Sequence, residues 1–212
     1  MSLYSSRKAL SDDMQPPAGP QLTDTAYDGI MRPLEWLDLG NSRSDLLRLV
    51  EPPVLEVGVG TGASLASYDG MKPVAIDPNI RLMRKARRRA VAHDSQVTPI
   101  QMDVLRLAFP DSTFASAVTS LVFCSVTDPL HGLRQLRRVL RPGAKLYMLE
   151  HVRPKHPLLG PLVDWFNIPW HAINGTCRLN RRTADNVVAA GFTLVSVETR
   201  LAGAINLIVA RA

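Results

Sequence analysis

Three glycines that alternate with other residues, directly after a short apolar run, constrain this chain more than any other feature. The run from Val54 to Val57 predicts the end of a buried parallel strand. Gly58, Gly60 and Gly62 predict a sharp turn whose backbone lies against a ligand, because glycine has no Cβ and tolerates positive φ. A helix is predicted to begin in the segment 64–68, with its free N–H groups facing the turn. This order predicts a nucleotide-type crevice at the carboxyl end of a strand.

The glycine spacing by itself leaves alternatives open. Gly58, Gly60 and Ala63 also fit the fingerprint of NAD-binding domains, and a tight turn without a ligand has the same pattern. Two acids favour a different ligand. Glu56 precedes the first glycine, where a carboxylate suits a cationic ligand group and disfavours an anionic pyrophosphate. Asp77 follows a second predicted strand, where it can accept two hydrogen bonds from a ribose diol.

Glu56, the glycines and Asp77 together resemble the first two motifs of the class I S-adenosylmethionine (SAM) methyltransferases. The segment FPDSTF at 109–114 resembles the methyltransferase type 11 family. EHVRP at 150–154, followed by tryptophans and by Cys177, Arg178 and Leu179, is similar to the thiol methyltransferase-like branch and to the related phospholipid and quinone methyltransferases. The resemblance implies a Rossmann-like α/β fold, with a seven-stranded, mostly parallel sheet, one antiparallel strand near the C-terminus and helices on both faces.

The resemblance also implies a cofactor and a reaction. The cofactor is SAM, which leaves as S-adenosyl-L-homocysteine, and the methyl group moves by in-line displacement to a small lipophilic acceptor: a thiol, a lipid amine or a quinone-like phenol. Tyr27 is either a lid over the cofactor or an aromatic packed on the domain. Asp103 either contacts the adenine amine or caps a helix. The residues expected to bind the cofactor are Tyr27, Glu56, Gly58, Gly60, Gly62, Asp77, Pro78, Met102, Asp103 and Leu121.

The acceptor is expected at 151–182, where periodicity fails and prolines recur. This insertion predicts either an acceptor pocket beside the crevice or a surface element that dips into a membrane. His151 is the first candidate for a general base or acceptor-orienting group and His171 the second, with a purely structural role as the alternative for each. The residues expected to contact the acceptor are Phe123, Glu150, Trp165, Trp170 and Arg178.

Length and charge limit the domain organisation and the kinds of partner that can be expected for this chain. The 212 residues suit one domain, 23–212, after a flexible leader at 1–22. The net charge of +6 and the basic stretch 81–89 favour an anionic membrane or nucleic acid, or serve solubility alone. An RNA methyltransferase that uses 81–89 is therefore an alternative, although no RNA-binding module is visible. A non-catalytic SAM-binding protein is a further alternative.

The two cysteines predict neither a metal site nor a disulfide. Cys124 and Cys177 lie far apart and show no C-x-x-C spacing. Cys124 is not expected to be a nucleophile, because methyl transfer from SAM needs no covalent enzyme intermediate. No apolar run approaches the roughly 20 residues that cross a bilayer. The sequence therefore predicts a reduced, cytoplasmic setting, with peripheral membrane contact as an option.

Overall fold

A computed structural model describes residues 40–212, except positions 69, 94, 175 and 176. The leader, its predicted boundary at 22/23 and Tyr27 lie outside the described residues. The strands are β1 Val54–Val57, β2 Val74–Asp77, β3 Thr98–Gln101, β4 Phe114–Ser120, β5 Leu140–His151, β6 Thr193–Arg200 and β7 Ile205–Arg211. The helices are α1 Gly40–Leu47, α2 Ile80–Ala92, α3 Pro129–Val139, α4 Leu159–Asn174 and α5 Thr183–Ala189.

The described strands form one sheet in the order β3-β2-β1-β4-β5-β7-β6. The pairs from β3 through β5 are all parallel, and β7 runs antiparallel to both β5 and β6. The predicted seven-stranded sheet with one antiparallel strand near the C-terminus is confirmed. Because the strand order reverses direction at β1 and β4, their carboxyl ends flank the switch point where ligands of open α/β sheets bind.

The sheet is covered on both faces, and alternate residues along each strand point to opposite sides. On β4, Ala117 belongs to a core cluster that contains Leu133 of α3 and Val187 of α5. Its neighbour Val118 belongs to a second cluster that contains Leu47 of α1. The predicted helices on both faces are therefore confirmed.

Two predicted segments differ from the structure. The helix predicted from Ser64 to Tyr68 is only a 3-10 turn, Leu65–Ser67, because Tyr68 leaves the helical region with ψ of 64°. The irregular insertion at 151–182 contains the sixteen-residue helix α4. Proline is tolerated in the first turn of a helix, so Pro161 does not prevent α4 from forming. Pro169 lies inside the same helix.

In the part of the chain that the structure describes, no helix combines the length and the apolar character needed to span a bilayer.

Candidate active site

The glycine turn after β1 is held by close contacts on both sides. Gly58 has φ of 73°, and its N–H donates to the carbonyl of Ile76 on β2 at 2.7 Å. A Cβ added at Gly58 would overlap Cγ2 of Val122, so the turn packs directly against the loop after β4. Gly60 also has positive φ, 55°, but a Cβ there would meet only one atom, 3.9 Å away. The turn therefore closes against the protein at Gly58 and is open at Gly60.

Glu56 is a buried acid directly under this turn, with 4% of its surface exposed. Its Oε1 accepts a hydrogen bond from the hydroxyl of Ser64, and the Tyr68 hydroxyl adjoins the carboxylate. Its Oε2 is buried and has no hydrogen-bond partner among the described residues. Burial raises the pKa of Glu56 above its usual value. An unpartnered buried carboxylate oxygen is costly, so this atom is suited to a donor from a ligand.

Asp77 joins the end of β2 to the glycine turn. Its Oδ2 accepts from the Gly60 N–H at 3.0 Å and its Oδ1 from the Asn79 N–H at 2.8 Å. Burial raises the pKa of this carboxyl group as well. Each carboxylate oxygen can accept two hydrogen bonds, so one acceptor position on each remains for a ligand. Pro78, predicted beside it, is exposed, and its carbonyl accepts from Gln101 Nε2 at 3.1 Å.

The end of β3 lies next to Asp77, since the Met102 N–H donates to the Asp77 carbonyl at 3.2 Å. The Asp103 Oδ1 accepts from the Leu105 N–H at 2.9 Å and caps the 3-10 turn Val104–Arg106. Asp103 therefore caps this turn, and its contact with the adenine amine stays a prediction. The cap uses Oδ1 and does not involve Oδ2.

The loop after β4 is fastened by a buried carboxylate. The chain turns at Leu121, which has φ of 58°. Glu150 on β5 has 0% exposure, and its Oε1 accepts from the Thr119 hydroxyl at 2.9 Å and from the N–H groups of Val122 and Phe123 at 3.2 and 3.1 Å. Its Oε2 accepts from the Cys124 N–H at 3.3 Å. Burial raises the pKa of Glu150 to about 7, against the opposing effect of these four donors.

Two residues that were expected to contact the acceptor, Glu150 and Phe123, are fully buried. The Glu150 oxygens accept hydrogen bonds from the loop after β4, so its carboxyl group shapes the crevice, and contact of either residue with an acceptor stays a prediction. Phe123 is also fully buried and belongs to the main core cluster under α3. Its ring packs next to Gly132 of α3, while its backbone N–H donates to Glu150 Oε1.

A cluster of two thiols and an imidazole lies beside this loop, and we call it the thiol cluster: Cys124, His151 and Cys177. The sulfur atoms and a ring nitrogen all lie within 4.8 Å of one another. Both cysteines are buried. Hydrogen bonding to Cys124 lowers the pKa of Cys177 below its usual value, while the same hydrogen bond and burial raise the pKa of Cys124 well above its usual value. Nδ1 of His151 is enclosed without a hydrogen-bond partner among residues 40–212 as described.

Helix α4 lies beside the thiol cluster and is fastened there by polar contacts. Asp164 pairs with Arg153 at 2.8 Å, and the Asn167 Oδ1 accepts from the Leu179 N–H at 2.8 Å. Trp170 is half-buried, and its indole nitrogen is enclosed without a hydrogen-bond partner among the described residues. His171 is half-buried with an enclosed Nδ1.

Trp165 and Arg178, which were both predicted to contact the acceptor, lie on the surface. The indole of Trp165 has 69% of its surface exposed. Arg178 contributes through its backbone, since its N–H donates to the Cys124 carbonyl at 2.9 Å. Both predicted contacts therefore require either movement of α4 or an acceptor that extends to the surface.

A small apolar cavity of about 200 Å³ lies below α4. His151 forms one wall, and the remaining lining is almost entirely aliphatic: Val152, Val163, Leu179, Leu201, Ala204 and Ile205. His151 therefore belongs both to the thiol cluster and to the lining of this cavity, which places a polar residue at the edge of a lipophilic pocket.

Comparison with known proteins identifies the family. Residues 55–148 match the methyltransferase domain family. Phosphatidylethanolamine N-methyltransferase of Cereibacter sphaeroides is 35% identical over an alignment of 142 positions, which covers 62% of this chain and 68% of that protein. The chain belongs to the SAM-dependent methyltransferase family.

Two further comparisons concern a relative and the fold. Thiol S-methyltransferase TMT1B of Mus musculus is 32% identical over an alignment of 152 positions that covers 68% of this chain. The alignment covers 62% of the mouse protein, so this chain spans less than two thirds of that relative. A solved SAM-dependent methyltransferase from Aquifex aeolicus matches its fold with a TM-score of 0.65, at 19% identity, over 90% of this chain and 99% of the other.

The sequence did not predict that Cys177 lies beside Cys124 and His151. The separation of Cys124 and Cys177 along the chain concealed a contact that forms only when the loop after β4 meets the segment after α4. The available signal was the resemblance of the segment at Cys177, Arg178 and Leu179 to the thiol methyltransferase-like branch. The hydrogen bond from Ser64 to Glu56, and the position of Tyr68 beside that carboxyl group, were also missed, because the segment 64–68 was interpreted only as the start of a helix.

Proposed function

We propose that this chain transfers a methyl group from SAM to a small lipophilic acceptor: a thiol, a lipid amine or a quinone-like phenol. The observation that carries the proposal is the buried, unpartnered Oε2 of Glu56 beneath an open glycine turn. That atom suits the amino group of SAM and is unfavourable for the phosphates of a dinucleotide.

The residues around the turn fit the remaining parts of SAM. The free acceptor positions of Asp77 suit the two ribose hydroxyls. Gly60 leaves space for the ligand where a side chain would project. Asp103 keeps one oxygen beyond its cap, and Met102 is half-buried beside it, so this pair suits the adenine ring and its amine.

The acceptor end is the aliphatic cavity below α4. A space of about 200 Å³ with one imidazole in its wall suits a small apolar molecule that carries a single polar, methylatable atom. The names of the relatives include a thiol S-methyltransferase and a phosphatidylethanolamine N-methyltransferase. Both kinds of acceptor have an apolar body and one nucleophilic atom. Neither is a nucleic acid, so this proposal does not need the basic stretch 81–89 to bind RNA.

SAM supplies an electrophilic methyl group on a sulfonium, so the protein contributes mainly alignment and the exclusion of water. The loop after β4 lines the crevice, and three of its backbone N–H groups donate to the carboxyl group of Glu150, which holds the loop in place. His151 is our first candidate for orienting the acceptor or taking its proton, since its ring borders both the cavity and the thiol cluster. His171 is the second candidate.

The test is transfer of labelled methyl from SAM to three acceptors offered separately: a small alkyl thiol, phosphatidylethanolamine vesicles and a hydroquinone. We expect enzyme-dependent product with one of them, and loss of that product in Asp77→Ala. Glu198→Gln, on the exposed strand β6, is the matched control and should retain activity. SAM binding without transfer to any of the three would contradict the proposal and favour a non-catalytic SAM-binding protein.

We also propose peripheral contact with an anionic membrane through α4. The outward face of this region is apolar and exposed at Leu158, Leu162, Trp165, Phe166 and Ile168. Positions 158, 162, 165 and 166 follow helical spacing, so these side chains form one stripe. Such a stripe, on a chain with a net charge of +6, suits the interface of an anionic bilayer.

Co-sedimentation with phosphatidylglycerol vesicles tests the membrane contact. We expect Trp165→Ser combined with Phe166→Ser to reduce binding, because two large apolar side chains are removed from the stripe. Val91→Ser, an exposed apolar residue on α2, is the control and should bind like the wild type. Equal binding by the double variant would contradict the proposal. Lower binding on neutralising Arg84, Arg87 and Arg88 would instead assign the contact to α2.

A further inference from the structure

The thiol cluster brings together three separate parts of the chain. Cys124 comes from the loop after β4, His151 ends β5, and Cys177 follows α4. Their sulfur and nitrogen atoms all lie within 4.8 Å of one another. Cys124 has 1% of its surface exposed and Cys177 has 6%, while His151 is half-buried. Two thiols and an imidazole in a mostly dry site form a donor set suited to a thiophilic metal ion.

We propose that Cys124, His151 and Cys177 bind a zinc ion, with the fourth coordination position open. Zinc takes sulfur ligands at about 2.3 Å and histidine nitrogen at about 2.0–2.1 Å in tetrahedral sites. Two sulfurs on one tetrahedral zinc are therefore about 3.8 Å apart. The ligand atoms of the thiol cluster are at most 4.8 Å apart, which is close to this value. A small movement of the three side chains toward one another would therefore bring them to coordination distance.

The surroundings hold the ligands in place. Glu150 fixes the backbone of Cys124 through its Oε2, and the Arg178 N–H donates to the Cys124 carbonyl at 2.9 Å. The two cysteine-bearing segments are thus joined before any metal binds. Nδ1 of His151 is enclosed and has no hydrogen-bond partner among the described residues, which leaves a buried nitrogen that a metal ion would satisfy.

The local charge is compatible with a bound dication. Two cysteine thiolates offset the two charges of zinc, and binding releases the two thiol protons to solvent. The guanidinium of Arg181 lies near both sulfurs and near the Arg178 side chain, so positive charge surrounds the two thiolates before a metal ion binds.

Three protein ligands are the pattern of zinc sites that accept an exogenous fourth ligand, whereas structural sites use four. The aliphatic cavity borders His151, so a small apolar thiol can approach the open position from that side. A thiol bound there gives its proton to solvent and stays as the thiolate. This consequence rests on the proposed methyl transfer, while the metal site itself does not. In this arrangement His151 acts as a metal ligand and not as the base.

Cobalt(II) substitution tests the site without any measurement of activity. The reduced full chain is titrated with cobalt, and the spectrum is followed for the thiolate-to-cobalt charge-transfer band. We expect one equivalent to bind with this band, and stoichiometric displacement by zinc. Cys177→Ser and His151→Asn should each weaken zinc binding by more than about tenfold in competition with a chromophoric chelator. His93→Asn, an exposed histidine after α2, is the control and should bind zinc as the wild type does.

The wild-type spectrum does not depend on whether any variant folds, so a missing charge-transfer band overturns the proposal directly. Equal zinc affinity in Cys177→Ser and the wild type, with both folded by circular dichroism, also overturns it. A change in the cobalt spectrum on adding a small alkyl thiol is expected for an open fourth position, and an unchanged spectrum contradicts that part. Since SAM is absent throughout, failure here leaves the methyl transfer assay free to succeed or fail separately.

Discussion

Glu150 should make this protein less stable as the pH rises, and Glu150→Gln should remove that effect. The carboxyl group is fully buried, and burial raises its pKa from a usual 4.5 to about 7 despite four hydrogen-bond donors. The folded chain therefore keeps this proton up to about pH 7, whereas the unfolded chain releases it near 4.5. Between these values the folded state binds more protons, so the free energy of unfolding falls as pH rises and levels off above pH 7.

The size of the effect follows from the two pKa values. Each pH unit between them is worth about 1.4 kcal/mol, which gives a loss of about 3 kcal/mol from Glu150 between about pH 4 and pH 8. Glutamine keeps the shape and one acceptor oxygen but cannot ionise. Its amide nitrogen faces the Cys124 N–H, which adds a cost that does not vary with pH. Titratable groups far from Glu150 are the same in both proteins and cancel when the two are compared.

Urea unfolding followed by far-ultraviolet circular dichroism at several pH values measures this difference. We expect the stability of the wild type relative to Glu150→Gln to fall by about 3 kcal/mol from about pH 4 to pH 8. Glu198→Gln, an exposed position on β6, should run parallel to the wild type within about 0.5 kcal/mol. If the difference in unfolding free energy between wild type and Glu150→Gln does not change with pH, the four hydrogen-bond donors cancel the effect of burial on the pKa of Glu150. That result would refute the reasoning.

Three further substitutions have defined outcomes. Gly58→Ala should destabilise the fold by about 2–5 kcal/mol, because the new Cβ is placed on a residue with positive φ and overlaps Val122. Thermal unfolding should show a smaller loss when Gly58→Ala is made together with Val122→Ala. Asp77→Asn should weaken SAM binding by about tenfold or more in calorimetry, whereas the exposed Asp111→Asn should not. Asn79→Ala should cost about 1 kcal/mol of stability in urea, because its side chain caps α2.

Each of these three expectations has a result that would contradict it. If Val122→Ala gives Gly58→Ala no relief, the loss comes from backbone strain and not from packing. If Asp77→Asn binds SAM as the wild type does, Asp77 does not hold the ribose. An unchanged urea midpoint for Asn79→Ala would mean that tertiary contacts, and not the cap, fix the start of α2.

The sheet could be predicted because its signals are local. Short apolar runs followed by Gly58, Asp77 or Asp103 mark strand ends, and the carboxyl ends of parallel strands must meet at one edge of the sheet. In each case the residues that determine the element lie within or beside it.

The acceptor side could not be predicted in the same way, because its determinants are distant in sequence. Glu150 was expected in the pocket, yet it is enclosed by N–H groups of the loop after β4, and no local pattern encodes that pairing. The contact of Cys124 with Cys177 likewise depends on how α4 packs. The prolines of α4 indicated irregular structure, although Pro161 in the first turn is compatible with a helix.

The most direct test of the central claim is calorimetric titration of wild type and Glu56→Gln with SAM and with 5′-methylthioadenosine, which lacks the amino acid part. If Glu56 receives the amino group of SAM, Glu56→Gln should bind SAM at least about tenfold more weakly. Both proteins should bind 5′-methylthioadenosine equally. Equal affinity of the two proteins for SAM, or failure of the wild type to bind it, would contradict the assignment of this crevice as the cofactor site.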